Sequence, residues 1–228
     1  MRHDASGLER CLAEKFVSHA LCNPVNGEIL RRMPSLGIGD CWLVGGCLFQ
    51  AVWNAASGLP AAMRVKDYDL FYFDGHDLSW EAEDDAIART RAALADLEIE
   101  FDLKNQARVH LWYHDRFGAA YPRLTCAQDG IDRFLVAGTC VGLGTDNDGA
   151  LRLYAPFGLD DIFEGRLVPN PLSACEPAAI LAKSESYRAR WPHLTIGPTL
   201  APLPRRGRLM SLPAARVARA ETHPSIQT

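Results

Sequence analysis

The stretch LVGGCLFQAVWNAASGLPAAMRVKDYDLFYFD, residues 43–74, restricts the fold more than any other part of the chain. A short apolar run at 40–44 stops at two glycines, Gly45 and Gly46. The residues after them keep helical spacing until SGLP, at 57–60, breaks the pattern. Strand, tight turn and helix are the expected elements. YDLFYFD then alternates, with Asp67, Asp69 and Phe71 on one face of an extended segment and Tyr68, Leu70 and Tyr72 on the other. One face of this strand is therefore built for a core, and the other carries two like charges.

Aspartates at i and i+2 on one strand face lie within roughly 7 Å of each other. In a half-buried site, repulsion and lost hydration push at least one of them toward its protonated form. A divalent cation removes that conflict. Mg2+, with Mn2+ as a substitute, takes oxygen ligands from one or two carboxylates and completes its shell with water and substrate phosphates. The glycine pair complements it. Gly45 and Gly46 let the backbone approach a polyphosphate, and the N–H groups opening the next helix favour negative charge. A nucleoside triphosphate held there presents its phosphates to ions on Asp67 and Asp69.

A third carboxylate comes from EIEFDL, residues 98–103, which alternates as another strand with Glu98, Glu100 and Asp102 on one face. If that strand is a neighbour, Asp67, Asp69 and Asp102 form a platform for two ions about 3.5–4 Å apart. A solvated acidic edge is the competing reading. In the following KNQARVHLWY, Lys104 and Arg108 are candidates for phosphate oxygens, a guanidinium fork suiting that task best. The alternative is that they are ordinary surface charges.

The remaining patterning predicts helices over 8–21, 28–33, 81–97 and 176–191, and a helix rather than a strand within 105–118. TDNDG at 145–149 reads as a hairpin turn between two apolar runs. Asp160 and Asp161 read as first-turn partners of a short helix, and His110 and His114 as structural, because the glutamate of a zinc-type H-E-x-x-H is missing. Three segments follow: an N-terminal helical layer at 1–36, a catalytic domain at 37–196, and a Pro-, Ala- and Arg-rich basic tail at 197–228, expected to be mobile.

A net charge of -4 argues against binding duplex DNA through bulk charge. The seven cysteines form no C-x-x-C pair, and Cys41 and Cys47, flanking the glycines, read as small buried residues. Neither a signal-peptide pattern nor a run of roughly 20 apolar residues is present, which points to a cytoplasmic protein without a membrane partner. Serine hydrolases, P-loop ATPases and dinucleotide enzymes lose their main signatures, because G-x-S-x-G, G-x-x-x-x-G-K-[ST] and G-x-G-x-x-G are all missing.

Gly-Gly before a helix, Asp-x-Asp on the next strand and a carboxylate on a later one resemble the nucleotidyltransferase superfamily that includes DNA polymerase β and tRNA CCA-adding enzymes. WLVGG, VWN, KDYDLFYFD, KNQARVHLWY and YAPFGLDDIF together resemble one bacterial family of nucleotidyltransferases, over about residues 40–191. The resemblance implies an α+β fold, a small mixed sheet packed with helices. It also implies Mg2+-dependent transfer of a nucleoside monophosphate from a triphosphate such as ATP, with release of pyrophosphate. Gly45 and Gly46 match the phosphate-contacting glycines, Asp67 and Asp69 the metal-binding pair, and Asp102 the third carboxylate, which activates the acceptor hydroxyl. Two departures stand out: a longer spacer from Gly46 to Asp67, and Cys47 where a small or hydroxyl residue is common. The acceptor is left open between a small molecule, a protein side chain and an RNA end. A non-catalytic nucleotide sensor on the same fold is the main alternative function, and metal-dependent phosphohydrolysis a third.

Overall fold

The computed structural model describes residues 3–146, 148–198 and 209–211. In chain order, the N-terminal half contains helices α1 (His3–Leu21) and α2 (Pro24–Arg32), strand β1 (Trp42–Val44), helix α3 (Gly46–Ala56), strand β2 (Tyr68–Tyr72), helix α4 (Trp80–Leu94), strand β3 (Phe101–Asn105) and helix α5 (Val109–Phe117). The rest contains helix α6 (Gln128–Ile131), strands β4 (Gly142–Thr145) and β5 (Leu151–Tyr154), helix α7 (Asp160–Glu164), strand β6 (Arg166–Leu167), helix α8 (Pro177–Arg190), and strands β7 (Thr195–Ile196) and β8 (Leu209–Ser211).

Six strands form one mixed sheet in the order β3-β2-β1-β4-β5-β8, in which only the β2–β3 pair is parallel. That pair requires a crossover, supplied by α4, whose Ser79 cap accepts a hydrogen bond from the Ala82 N–H. The apolar face of β2 does what its alternation predicts: Tyr68, Leu70 and Tyr72 are buried, while Asp69 and Phe71 are only partly covered. Leu43, Leu70, Leu103, Leu143 and Leu153 meet Phe16, Ile29, Leu30, Leu48 and Val52 in one core under α1, α2 and α3. A smaller cluster around Trp42, Val44, Ile131 and Tyr154 covers part of the opposite face, with Phe71 and Phe134 at its margin.

Two local features differ from the sequence expectation. The strand expected at 98 begins at Phe101, because residues 95–97 close a 3-10 turn and Glu98 takes a left-handed φ of 49°. Glu98 and Glu100 thus leave the strand, and Asp102 is its one carboxylate. Helix α2 starts at Pro24, four residues earlier than the periodicity suggests, since Asn23 caps it by accepting from the Val25 N–H. Within the segment read as a basic tail, Leu209–Ser211 pair with β5 as an edge strand; the rest of that segment from 199 lies outside the described residues. No helix among the described residues is long and apolar enough to cross a membrane. All seven cysteines are free, and Cys41 and Cys47 are buried as expected.

Candidate active site

Strand β1 delivers the chain to Gly45 and Gly46, and its antiparallel register places Val44 opposite Asp69 on β2. The glycines are required here by space as well as by conformation. Gly45 has φ +79°, and a Cβ on it would lie 2.4 Å from Asp69 Oδ2. A Cβ on Gly46 would lie 2.2 Å from Gln50 Nε2. One glycine is thus roofed by a carboxylate and the other by a carboxamide, directly at the N-terminus of α3, where backbone N–H groups favour an anion.

These residues open onto a cleft of about 500 Å³ whose walls include Asp67, Asp69 and Gln50 on one side and Lys183, Ser186, Tyr187 and Arg190 on the other. Arg64 and Lys66 enter it from the segment before β2. Helix α8 is held in place by aromatic packing: Trp53 of α3 lies 5.2 Å from Tyr187 and 5.4 Å from Trp191, ring centre to ring centre. Trp191 Nε1 also donates to Asn54 Oδ1 at 2.8 Å. The same rings seat the cations, with Lys183 5.2 Å above Tyr187 and Arg190 4.7 Å and Arg64 5.5 Å from the Trp191 ring. Arg64 is further fixed by donating to the Arg190 carbonyl.

The electrostatics couple the two walls. Burial, and then the charges of Asp67 and Asp102, push the Asp69 carboxyl up to about 6. Burial and the neighbouring Arg190 lower the Lys183 ammonium, while Asp69 and Asp67 pull it back up. Carboxylates and cations thus line one cleft and act on each other electrostatically, as a site for a polyphosphate and its counter-ions requires.

Of the residues expected from the sequence, Gly45, Gly46, Asp67 and Asp69 come together in this cleft. Asp102 stands directly opposite Asp69 in the parallel β2–β3 register. It is half-exposed, however, ion-paired to Lys104 at 2.9 Å, and neither residue lines the cleft. No group of three or more His, Cys, Asp or Glu side chains able to hold a metal ion exists among the described residues, so the expected three-carboxylate platform is not formed. The pair Asp67–Asp69 still fits a hard cation: two carboxylates are what Mg2+ asks of a protein when phosphates supply further ligands.

Arg108 requires a correction. It is buried, paired with Glu83, donates to the Leu78 carbonyl at 3.0 Å and stacks 4.3 Å from the Trp80 ring. Its fork is committed to joining β3 to α4 and is closed to phosphate. The cations that do line the cleft were missed in the sequence, although two signals existed. Lys183, Ser186, Tyr187 and Arg190 recur at i, i+3, i+4 and i+7, one face of a helix. Arg64 and Lys66 sit immediately before Asp67 in MRVKDYD.

The sequence pattern of a family described as nucleotidyltransferase matches residues 31–196 of this chain. The chain belongs to that family. As a nucleotidyltransferase it also shares its fold with a solved structure, an NMR structure described as revealing a CCA-adding enzyme head domain. The two superpose with a TM-score of 0.58 at 24% identity, covering 74% of this chain and 87% of the other. A search of curated proteins finds no match. The mixed sheet packed with helices is therefore the nucleotidyltransferase fold that the sequence motifs imply, and a nucleotide is the substrate that the family implies.

Proposed function

We propose that the protein transfers a nucleoside monophosphate from a nucleoside triphosphate to an acceptor hydroxyl, with Mg2+ as cofactor and pyrophosphate as the leaving group. The observation carrying this reading is the placement of the Asp67–Asp69 pair against Gly45–Gly46, across one cleft from the cations of α8. Asp67 and Asp69 would hold Mg2+, which when bound neutralises charge on the transferred phosphoryl group.

The chain's own groups perform the rest. The first N–H groups of α3 and the cations Arg64, Lys66, Lys183 and Arg190 bind and orient the triphosphate, holding the α-phosphorus for in-line attack. They also stabilise the negative charge that collects on the departing pyrophosphate. Asp102, the register neighbour of Asp69, would accept the proton of the acceptor hydroxyl once released from its ion pair with Lys104 and turned toward the cleft, as the new oxygen–phosphorus bond forms and the bond to pyrophosphate breaks. The Phe134–Val136 segment supplies apolar wall for the base end of the nucleotide.

The test is to incubate the protein with Mg2+ and each labelled triphosphate in a cell extract, following pyrophosphate release and searching by mass spectrometry for a nucleoside monophosphate adduct. Wild type is expected to form product, and Asp67→Ala and Asp69→Ala to lose at least about 100-fold in rate. Equal signals from all three proteins would sink the reading.

A further inference from the structure

Gln50 is 8% exposed, lines the cleft, and yet its carboxamide makes no hydrogen bond within the described residues; Oε1 is fully buried without a partner. Among the buried amides, Asn26 also has an unpaired Oδ1, but it lies away from the cleft and its nitrogen is used twice, donating to the Ala20 and Cys47 carbonyls. Asn54 makes three hydrogen bonds, and Asn105 and Asn170 are held at both ends of their amides. A buried amide oxygen left unpaired forfeits its hydration with nothing in return, so one retained at a cleft wall marks a place where a ligand supplies the missing donor.

The chemistry of that donor is restricted by the position. Phosphate oxygens and carboxylates only accept, and would repel a carbonyl oxygen. The donors of a nucleotide are its ribose hydroxyls and the N–H groups of its base. Gln50 lies one turn into α3 with its Nε2 over Gly46, next to the glycine that Asp69 roofs. It therefore belongs to the phosphate end of the cleft, where the sugar joins the α-phosphate, whereas the base extends beyond toward the apolar wall.

We propose that Gln50 is a specificity-determining residue, whose carboxamide oxygen accepts a hydrogen bond from a ribose hydroxyl, so that the site selects ribonucleotides over deoxyribonucleotides. This rests on the nucleotide-transfer reading of the cleft. A polar site built for a hydroxyl rejects the analogue that lacks it, because the buried oxygen is then left unpaired again.

The experiment is calorimetric titration of the folded full chain, with Mg2+ present, by the four ribonucleoside triphosphates, then by the 2′-deoxy and 3′-deoxy forms of the tightest binder. Wild type is expected to bind the ribonucleotide about tenfold more tightly than one of its deoxy forms, and that form identifies the hydroxyl. Gln50→Leu is expected to bring the ratio within about twofold, chiefly by weakening the ribonucleotide. Should the leucine variant not fold, Gln50→Met serves for the same comparison. Equal affinity of wild type for all three sugars, or a preference that survives loss of the amide, would overturn the assignment while leaving the transferase reading intact. Failure of folded wild type to bind any triphosphate would overturn both.

Discussion

Asp69 is the residue whose environment is most at odds with its charge. Its carboxyl is held at about 6 by burial and by two neighbouring carboxylates, against an ordinary value of 3.8. Between those values the native state binds a proton that the unfolded chain has released, so stability falls as pH rises from about 4 to 6 and stays reduced above. For a partly covered group the loss is roughly 1–3 kcal/mol. In metal-free buffer with chelator, Asp69→Asn should therefore melt a few degrees above wild type at pH 7.5, with the difference vanishing near pH 4. Differential scanning fluorimetry at the two pH values checks this. Adding Mn2+ at pH 7.5 should raise the melting temperature of wild type and leave that of Asp69→Asn unmoved. The glycines belong to the same argument: their identity is fixed by the two side chains packed over them, a reason invisible until the fold brings Asp69 and Gln50 to the turn.

At the scale of elements, α8 makes the site two-sided. Its cations are seated on Tyr187 and Trp191, which are themselves part of the packing against α3, so the charged face is carried by a rigid support. Lys183→Ala and Arg190→Ala should each weaken triphosphate binding about tenfold or more in a fluorescence titration, and flatten its dependence on salt. Leu181→Ala, on an exposed part of the same helix, should bind as wild type does. The β3–α4 junction shows the opposite use of a cation. Arg108 attracts attention in the sequence because it follows an acidic strand, but Glu83 lies 25 positions earlier and reaches it only after α4 has crossed over the sheet. Lys104 is likewise taken by Asp102. Pattern along the strand located the charges and left their partners open, because ion pairs of this kind are made between elements.

For the whole molecule, the N-terminal helices are a layer of the main core. Ala13, Phe16, Ala20, Ile29 and Leu30 are fully buried against α3 and the sheet, and Asn26 ties α2 to the start of α3 through the Cys47 carbonyl. The family match begins at residue 31, inside α2. Each large buried side chain removed costs about 2–5 kcal/mol, and several together exceed the 5–15 kcal/mol that stabilises a domain. Deleting residues 1–30 should abolish the cooperative thermal transition followed by circular dichroism, and binding of triphosphate with it. A deletion that melted cooperatively near the wild-type temperature would show that the smaller match is a folding unit by itself.

The sequence by itself determined the strand–Gly-Gly–helix unit, the alternation that sends Asp69 and Phe71 away from the core, and the fold family. All three depend on spacing within one or two elements, and backbone periodicity translates such spacing directly into a face. Tertiary structure alone decided that Asp102 stands beside Asp69 yet pairs with Lys104, that Arg108 is locked to Glu83, and that α8 brings Lys183 and Arg190 across from residues more than 110 positions away. It also decided that Gln50 is buried without a hydrogen-bond partner among the described residues. Each of these outcomes rests on which elements pack together, and a linear pattern of charges carries no record of the partner that burial will impose.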